Sequence, residues 1–206
     1  RRHLRATDTS PSTPAVLGDA PFVPRTDKNK FMTRFVVVPQ WQGSPSARAM
    51  LLQSGAEAIA GDLPRSATTV LEVPLEAGDS LGSRVQRLST LHRVQDHIRD
   101  ALAPTDQSVI VVGGDCSVAV PAIGVAAGRH PSLAVVWFDA HGDLHSQDSS
   151  PSGAFAGMAL RAVIDGEAPL GPLPAQRVPA DRVVLVGARD LDPDEEAFAD
   201  TSDLRR

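Results

Sequence analysis

The 206-residue chain has no tyrosine, a single cysteine (Cys116) and an aromatic content of 4%. One cysteine excludes an internal disulfide framework, and usage of that kind fits a reducing, cytoplasmic setting. With six Phe, two Trp and no Tyr, a core has to be assembled from Val, Leu, Ile and Ala. Long hydrophobic runs are missing too. The longest, Leu133 to Phe138, falls far short of the ~20 apolar residues that a membrane helix needs. There is no basic excess either: 20 Lys and Arg against 25 Asp and Glu give a net charge of −5. That balance argues against nucleic acid or an anionic membrane as partner. A secretory leader is not visible, because Arg1, Arg2 and Arg5 are followed by polar residues and prolines.

What remains is ordinary globular usage, 42% hydrophobic and 22% charged, enough for one sizeable core. Residues 1–30 are rich in Pro, Ser, Thr and Asp, lack an apolar period, and read as a flexible tail. Residues 31–206 read as one α/β domain. The chain starts without Met and stops on Asp203-Leu204-Arg205-Arg206 with no closing element, so both ends are expected to be cut and the C-terminal part of the domain to be missing. Strands are expected at Arg34–Pro39, Thr68–Val73, Ser108–Val112, Leu133–Phe138 and Arg182–Val186. Helices are expected over Ser46–Ile59, with Met50, Leu51, Leu52, Ala56 and Ile59 as the apolar stripe, and over Val118–Gly128, Phe155–Ile164 and Pro193 onward. The clearest helical period is Val85, Leu88, Leu91, Val94 or Gln95, Ile98 and Leu102, ended by Pro104. Pro169 to Pro179 is a proline-rich loop. Continuously apolar strands that alternate with helices call for a mainly parallel sheet covered on both faces, an α/β three-layer sandwich.

In such sheets ligands sit at the carboxyl ends of the strands. Two strands end in polar sequence: Gly113-Gly114-Asp115-Cys116-Ser117, and Asp139-Ala140-His141-Gly142-Asp143. If residues 139–143 stay extended, Asp139, His141 and Asp143 project to one side, because side chains alternate along a strand. Two carboxylates and an imidazole form a hard-to-borderline site for a divalent cation. The same residues also read as solvated turn-formers and caps beyond a strand. Gly-Gly-Asp-Cys-Ser on the neighbouring strand tilts the balance, since it offers a further ligand to the same crevice.

GGDCS followed by WFDAHGD resembles the ureohydrolase family, the group of arginase, agmatinase and formimidoylglutamase, where GGDHS and DAHxD supply four ligands of a two-manganese cluster. Ser152-Gly153-Ala154-Phe155-Ala156-Gly157-Met158 and Gly187-Ala188-Arg189-Asp190-Leu191-Asp192-Pro193-Asp194-Glu195 resemble later family segments in the same order. The resemblance implies an arginase-like, doubly wound parallel sheet with two divalent metal ions at its C-terminal edge. Mn²⁺ is the expected ion, with Zn²⁺ or Fe²⁺ admitted because Cys116 stands where the family has a histidine ligand. It also implies metal ligation by Cys116, Asp139, His141 and Asp143, with Asp139 bridging and Asp143 holding the attacking hydroxide as the catalytic residue. His145 and Ser152 fall where arginases contact the substrate carboxylate, and Asp192 where the acid receiving the α-amino group lies. The implied reaction is metal-assisted hydrolysis of a C–N bond in a small linear amidine or guanidino compound, by a homo-oligomer with no nucleic-acid or membrane partner.

The departures from the family pattern bear on activity. Ala156 replaces a proton-shuttling histidine, and a general acid contributes ~10²–10⁴ in rate. The family's later SxDxDxxDP motif has no match before Arg206, which leaves three or four ligands of six. Ala154 and His145 differ from arginase proper, pointing away from arginine itself. The alternative to an impaired hydrolase is therefore a catalytically degenerate family member acting as a binding or structural module. A third reading makes Cys116, at a strand-to-helix turn, a nucleophile with His141 as its base.

Overall fold

The computed structural model describes residues 33–105, 107–166 and 177–206. The tail expected at residues 1–30 and most of the proline-rich loop lie outside the described residues.

Strands β1 (Arg34–Val38), β2 (Thr68–Val70) and β3 (Val109–Gly113) form a parallel sheet in the order β2-β1-β3, with Val36 opposite Thr69 and Val111. Strands β4 (Val135–Phe138) and β5 (Val183–Val186) form a second parallel pair, with Trp137 opposite Leu185. Arg205 adds one parallel bridge to Val184. Among the described residues five α-helices alternate with these strands: α1 (Leu51–Asp62), α2 (Leu88–Leu102), α3 (Ala119–Arg129), α4 (Ala159–Asp165) and α5 (Pro193–Thr201). The α/β alternation and the parallel direction are as expected. Among the described residues, however, no pairing joins β3 to β4, so the parallel sheet is present in two pieces.

Alternation along β1 sends Val36 and Val38 into one cluster with Val94, Ile98 and Leu102 of α2, while α1 packs beside β1 and β3. A second cluster joins Val135 and Trp137 of β4 to Val183 and Leu185 of β5, beneath Phe155, Met158 and Leu160. The opposite face of β4 is open: Val136 is 54% and Phe138 76% exposed.

Several boundaries differ from expectation for local reasons. Helix α1 starts at Leu51 rather than Ser46, because the Ser44 and Ser46 hydroxyls take the amides of Ser46 and Arg48 and hold the chain in turns. Its expected apolar stripe is not its buried face. Of that set Ala56 is the fully buried member, whereas Met50, Leu51 and Ile59 are exposed. Helix α2 starts at Leu88 because Arg87 is left-handed, with φ +58°, although Val85 is fully buried all the same. The segment from Phe155 opens as a 3-10 turn to Met158 before α4, which Gly166 ends in a left-handed cap, φ +68°. Among the described residues no helix is long and apolar enough to cross a membrane. The carboxyl ends of β3, β4 and β5 deliver residues 113–117, 139–143 and 187–192, and these segments build the site.

Candidate metal centre

β3 runs out at Gly113-Gly114, and a Cβ on Gly114 would stand 1.5 Å from the Gln40 main-chain oxygen. Only glycine lets the two segments approach so closely. Asp115 then turns inward and gathers the ends of β1 and β3. Its Oδ2 accepts from the Gly43 N–H at 2.9 Å, and its Oδ1 from the Ser117 N–H at 3.0 Å and Gln40 Nε2 at 3.2 Å. Burial pushes this carboxyl above its ordinary value, although the donors around it pull the other way. The result is a 3-10 turn, Cys116–Val118, capped by Asp115, that holds Cys116 Sγ 3.8 Å from Asp139 Oδ2.

The extended course expected for residues 139–143 does not occur. The strand ends at Phe138, and Asp143 adopts φ +52°, a left-handed backbone uncommon outside glycine. Strict alternation is thereby broken. Asp139 and Asp143 converge on Cys116, and one ligand atom from each lies within 4.8 Å of the other two. His141 stays outside that trio. Its side chain is 62% exposed, with Nδ1 3.2 Å from Asp139 Oδ1 and Nε2 3.8 Å from Asp190 Oδ2.

The trio is electrostatically costly as it stands. Asp143 is buried and its Oδ2 meets no hydrogen-bond donor. Burial, reinforced by the charge of Asp139, raises this carboxyl to about 7. Burial and the charges of Asp143 and Asp139 likewise push the Cys116 thiol far above its usual range. A thiol so placed stays protonated without a cation, which removes the reading of Cys116 as an activated nucleophile. A divalent cation fits these residues well. It would supply the partner that Asp143 Oδ2 lacks, relieve repulsion between the carboxylates and stabilise a thiolate. A mixed sulfur and oxygen donor set suits a borderline ion such as Zn²⁺ better than Mg²⁺ or Ca²⁺.

Cys116 and Asp143 of the trio border a cavity of about 460 Å³ whose lining also includes His141, His145, Ala156 and Asp192. Asp115, Asp143, Asp190, Asp192 and Glu195 all line it, and among the described residues no Lys or Arg does. His145 is buried, with Nε2 2.7 Å from Asp192 Oδ2 and Nδ1 3.0 Å from Ser149 Oγ. Asp192 also caps α5, its Oδ1 accepting from the N–H groups of Asp194 and Glu195, both at 3.0 Å. The structure thus brings His145 and Asp192 together on the cavity. Ser152 is not brought there: it is exposed, outside the cavity lining, and its Oγ accepts from the Ala154 N–H at 3.1 Å. Sequence reasoning gave no role to Asp115 or Glu195. The Asp192-Pro193-Asp194-Glu195 run carries a capping-box signal that marks the second of these.

The family model for the arginase family matches residues 48–205. The chain belongs to the arginase family. Arginase from Staphylococcus aureus (strain COL) is 42% identical over 91 residues, covering 43% of this chain and 30% of that protein. Arginase from Bacillus caldovelox is 34% identical over 147 residues, 67% of this chain and 46% of the relative. The solved structure of Bacillus caldovelox arginase superimposes with a TM-score of 0.69 at 26% identity, over 84% of this chain and 63% of that one. Formimidoylglutamase from Bacillus subtilis shares the fold at 17% identity, with a TM-score of 0.62 over 84% of this chain and 53% of its own. The chain therefore spans less than half the length of these two curated arginases. The arginase-like α/β architecture is shared with both solved structures, and a fold shared at such low identity says nothing about which substrate is taken.

Proposed function

We propose that this arginase-family chain carries part of a metal-assisted hydrolytic centre for a C–N bond in a small, cationic amidine or guanidino compound. One observation carries the reading: the buried Oδ2 of Asp143, without a hydrogen-bond partner beside Asp139, in a carboxylate toward which the Cys116 thiol offers its hydrogen. Cys116, Asp139 and Asp143 would hold the ion, with His141 within reach of Asp139 for a second one. Mn²⁺ is the family's ion, and Zn²⁺ suits the thiol. When bound, the ion supplies Lewis acidity that lowers the pKa of an attacking water. Asp143, on the cavity wall, would orient that water. The carboxylates around the cavity attract the guanidinium, and the His145–Asp192 pair shapes the wall that the rest of the substrate meets. Ser152 belongs to the family pattern, and its outward position here leaves it no contact with the cavity.

A second reading has a specific observation behind it. Ala156 lines the cavity where a proton donor to the leaving amine is needed, and alanine has none to give. A fold retained for binding, with little turnover, fits that wall. One pair of experiments separates the two. In chelator-stripped protein, Mn²⁺ or Zn²⁺ should raise Tm, and Asp139→Ala should remove the shift. Ala156→His should then raise amidine hydrolysis by ~10²–10⁴-fold if the centre is competent. A cation-induced shift with no turnover in either protein would favour the binding module, and no shift with either ion would sink the cation reading.

A further inference from the structure

Asp143 holds its place in the trio through a left-handed backbone, φ +52°, which non-glycine residues adopt rarely, Asp and Asn more readily than most. Support for it comes from outside its own loop. The main-chain oxygen of Asp143 accepts from the Arg161 N–H of α4 at 2.9 Å. The N–H of Leu144 donates to Glu195 Oε1 of α5 at 3.1 Å. Those two polar atoms belong to a single peptide unit, so the Asp143–Leu144 plane is gripped at both edges by two different helices. Glu195 is buried, and its other oxygen accepts from the Asp192 N–H at 3.2 Å. It also presses on Gly142, where a Cβ would stand 2.9 Å from Oε1. His145, Asp192 and Glu195 approach one another closely enough to suggest a second cation site. Both Glu195 oxygens, however, are already committed to main-chain donors.

We propose that Glu195 is a positioning residue: by locking the Asp143–Leu144 peptide against α5 it holds the Asp143 carboxylate in register with Cys116 and Asp139. Without it, that peptide plane can rotate about the bonds flanking it, and Asp143 can leave the left-handed region and carry its carboxylate out of the trio. The inference rests on the reading of Cys116, Asp139 and Asp143 as cation ligands. It adds a supporting carboxylate that makes no bond to the ion and acts through the backbone geometry of Asp143–Leu144.

The test is a Co²⁺ titration of the chelator-stripped full chain, followed through the sulfur-to-metal charge-transfer band and paired with hydrogen exchange at the Leu144 amide in the metal-free protein. Glu195→Ala should weaken Co²⁺ binding by about 10–100-fold, the usual effect of losing an outer-shell support, and expose the Leu144 amide to exchange. Glu195→Gln has one oxygen for two N–H donors and turns its NH2 toward the other, so its affinity should fall between those of Glu195→Ala and the original protein. Gly142→Ala, which pushes on the Glu195 carboxylate from the loop side with no substitution in α5, should fall with Glu195→Ala. These two variants decide the matter if Glu195→Ala does not fold. Ala197→Gly, on the exposed face of α5, weakens the helix and should leave Co²⁺ affinity unchanged. Unaltered Co²⁺ binding by Glu195→Ala, or an equal loss in Ala197→Gly, overturns the proposal. Failure of the unsubstituted chain to bind Co²⁺ would instead sink the cation reading, and the proposal with it.

Discussion

Asp143→Asn should make the metal-free protein more stable while abolishing its response to cations. The Asp143 carboxylate is buried, its Oδ2 has no donor, and Asp139 stands beside it. An unsatisfied buried polar group costs about 1–3 kcal/mol. Asparagine has the same shape, tolerates left-handed backbone, and turns repulsion from Asp139 into a possible N–H donation. A gain of about 1–3 kcal/mol would raise Tm by about 2–4 °C for each kcal/mol in a domain of this size. The gain should depend on pH in a fixed direction. The folded carboxyl titrates at about 7, against 3.8 without the fold. Below 3.8 both states are protonated and the two proteins should be alike. Between 3.8 and about 7 the unfolded chain ionises first, so the original protein loses stability relative to the variant, and above 7 the gap is complete. Thermal unfolding in chelator at pH 4 and pH 8 reads this directly. With Zn²⁺ at one hundred times its Kd, the original protein should gain about 2.7 kcal/mol and the variant nothing. A variant less stable than the original at pH 8, or a gap equal at both pH values, would refute the reasoning.

Two further substitutions probe the frame around the site. Gly114→Ala drives a Cβ to 1.5 Å from the Gln40 oxygen, main chain against main chain, and should cost about 3 kcal/mol or more in denaturant unfolding. A loss under about 1 kcal/mol would mean that the turn yields easily. Phe155→Ala, at 0% exposure, should cost about 3–5 kcal/mol. Phe138→Ser, at 76% exposure on the open face of β4, should stay within about 0.5 kcal/mol. Comparable losses at the two positions would show that the face of β4 is covered in solution.

The fold was legible where one physical signal dominated. The period of Leu88, Leu91, Val94, Ile98 and Leu102 is the buried face of α2, and each strand lies within its expected apolar run give or take a residue or two at the ends. Sequence failed where two local chemistries competed. In α1, apolar spacing suggested a buried stripe, but the small Ala56 faces the sheet and larger neighbours stay in solvent, because close packing beside β1 and β3 favours a small residue. Serine hydroxyls then delayed the helix start, an effect that hydrophobic period cannot report. The division of the parallel sheet into two pieces was beyond reach as well, since strand order depends on contacts between segments far apart in the chain.

At the site, residue type was legible and geometry was not. Period-two reasoning grouped Asp139, His141 and Asp143 on the assumption that the strand continues, yet the group that forms is Cys116, Asp139 and Asp143. The difference lies in one dihedral. Asp143 is left-handed, and no residue within 139–143 announces that; glycine, the usual carrier of such backbone, is at 142. What sustains the conformation sits about fifty positions later in Glu195, and about twenty later in the amide of Arg161. Glu195 does carry a local signal, the capping box with Asp192, and that signal explains its presence without its tertiary use. The same carboxylate that completes a helix cap through Asp192 N–H reaches across to Leu144 N–H with its other oxygen. A motif read as helix punctuation therefore also ties α5 to the loop that carries Asp143, and the two roles are hard to separate: alanine removes both acceptors, and glutamine leaves one oxygen for two N–H donors.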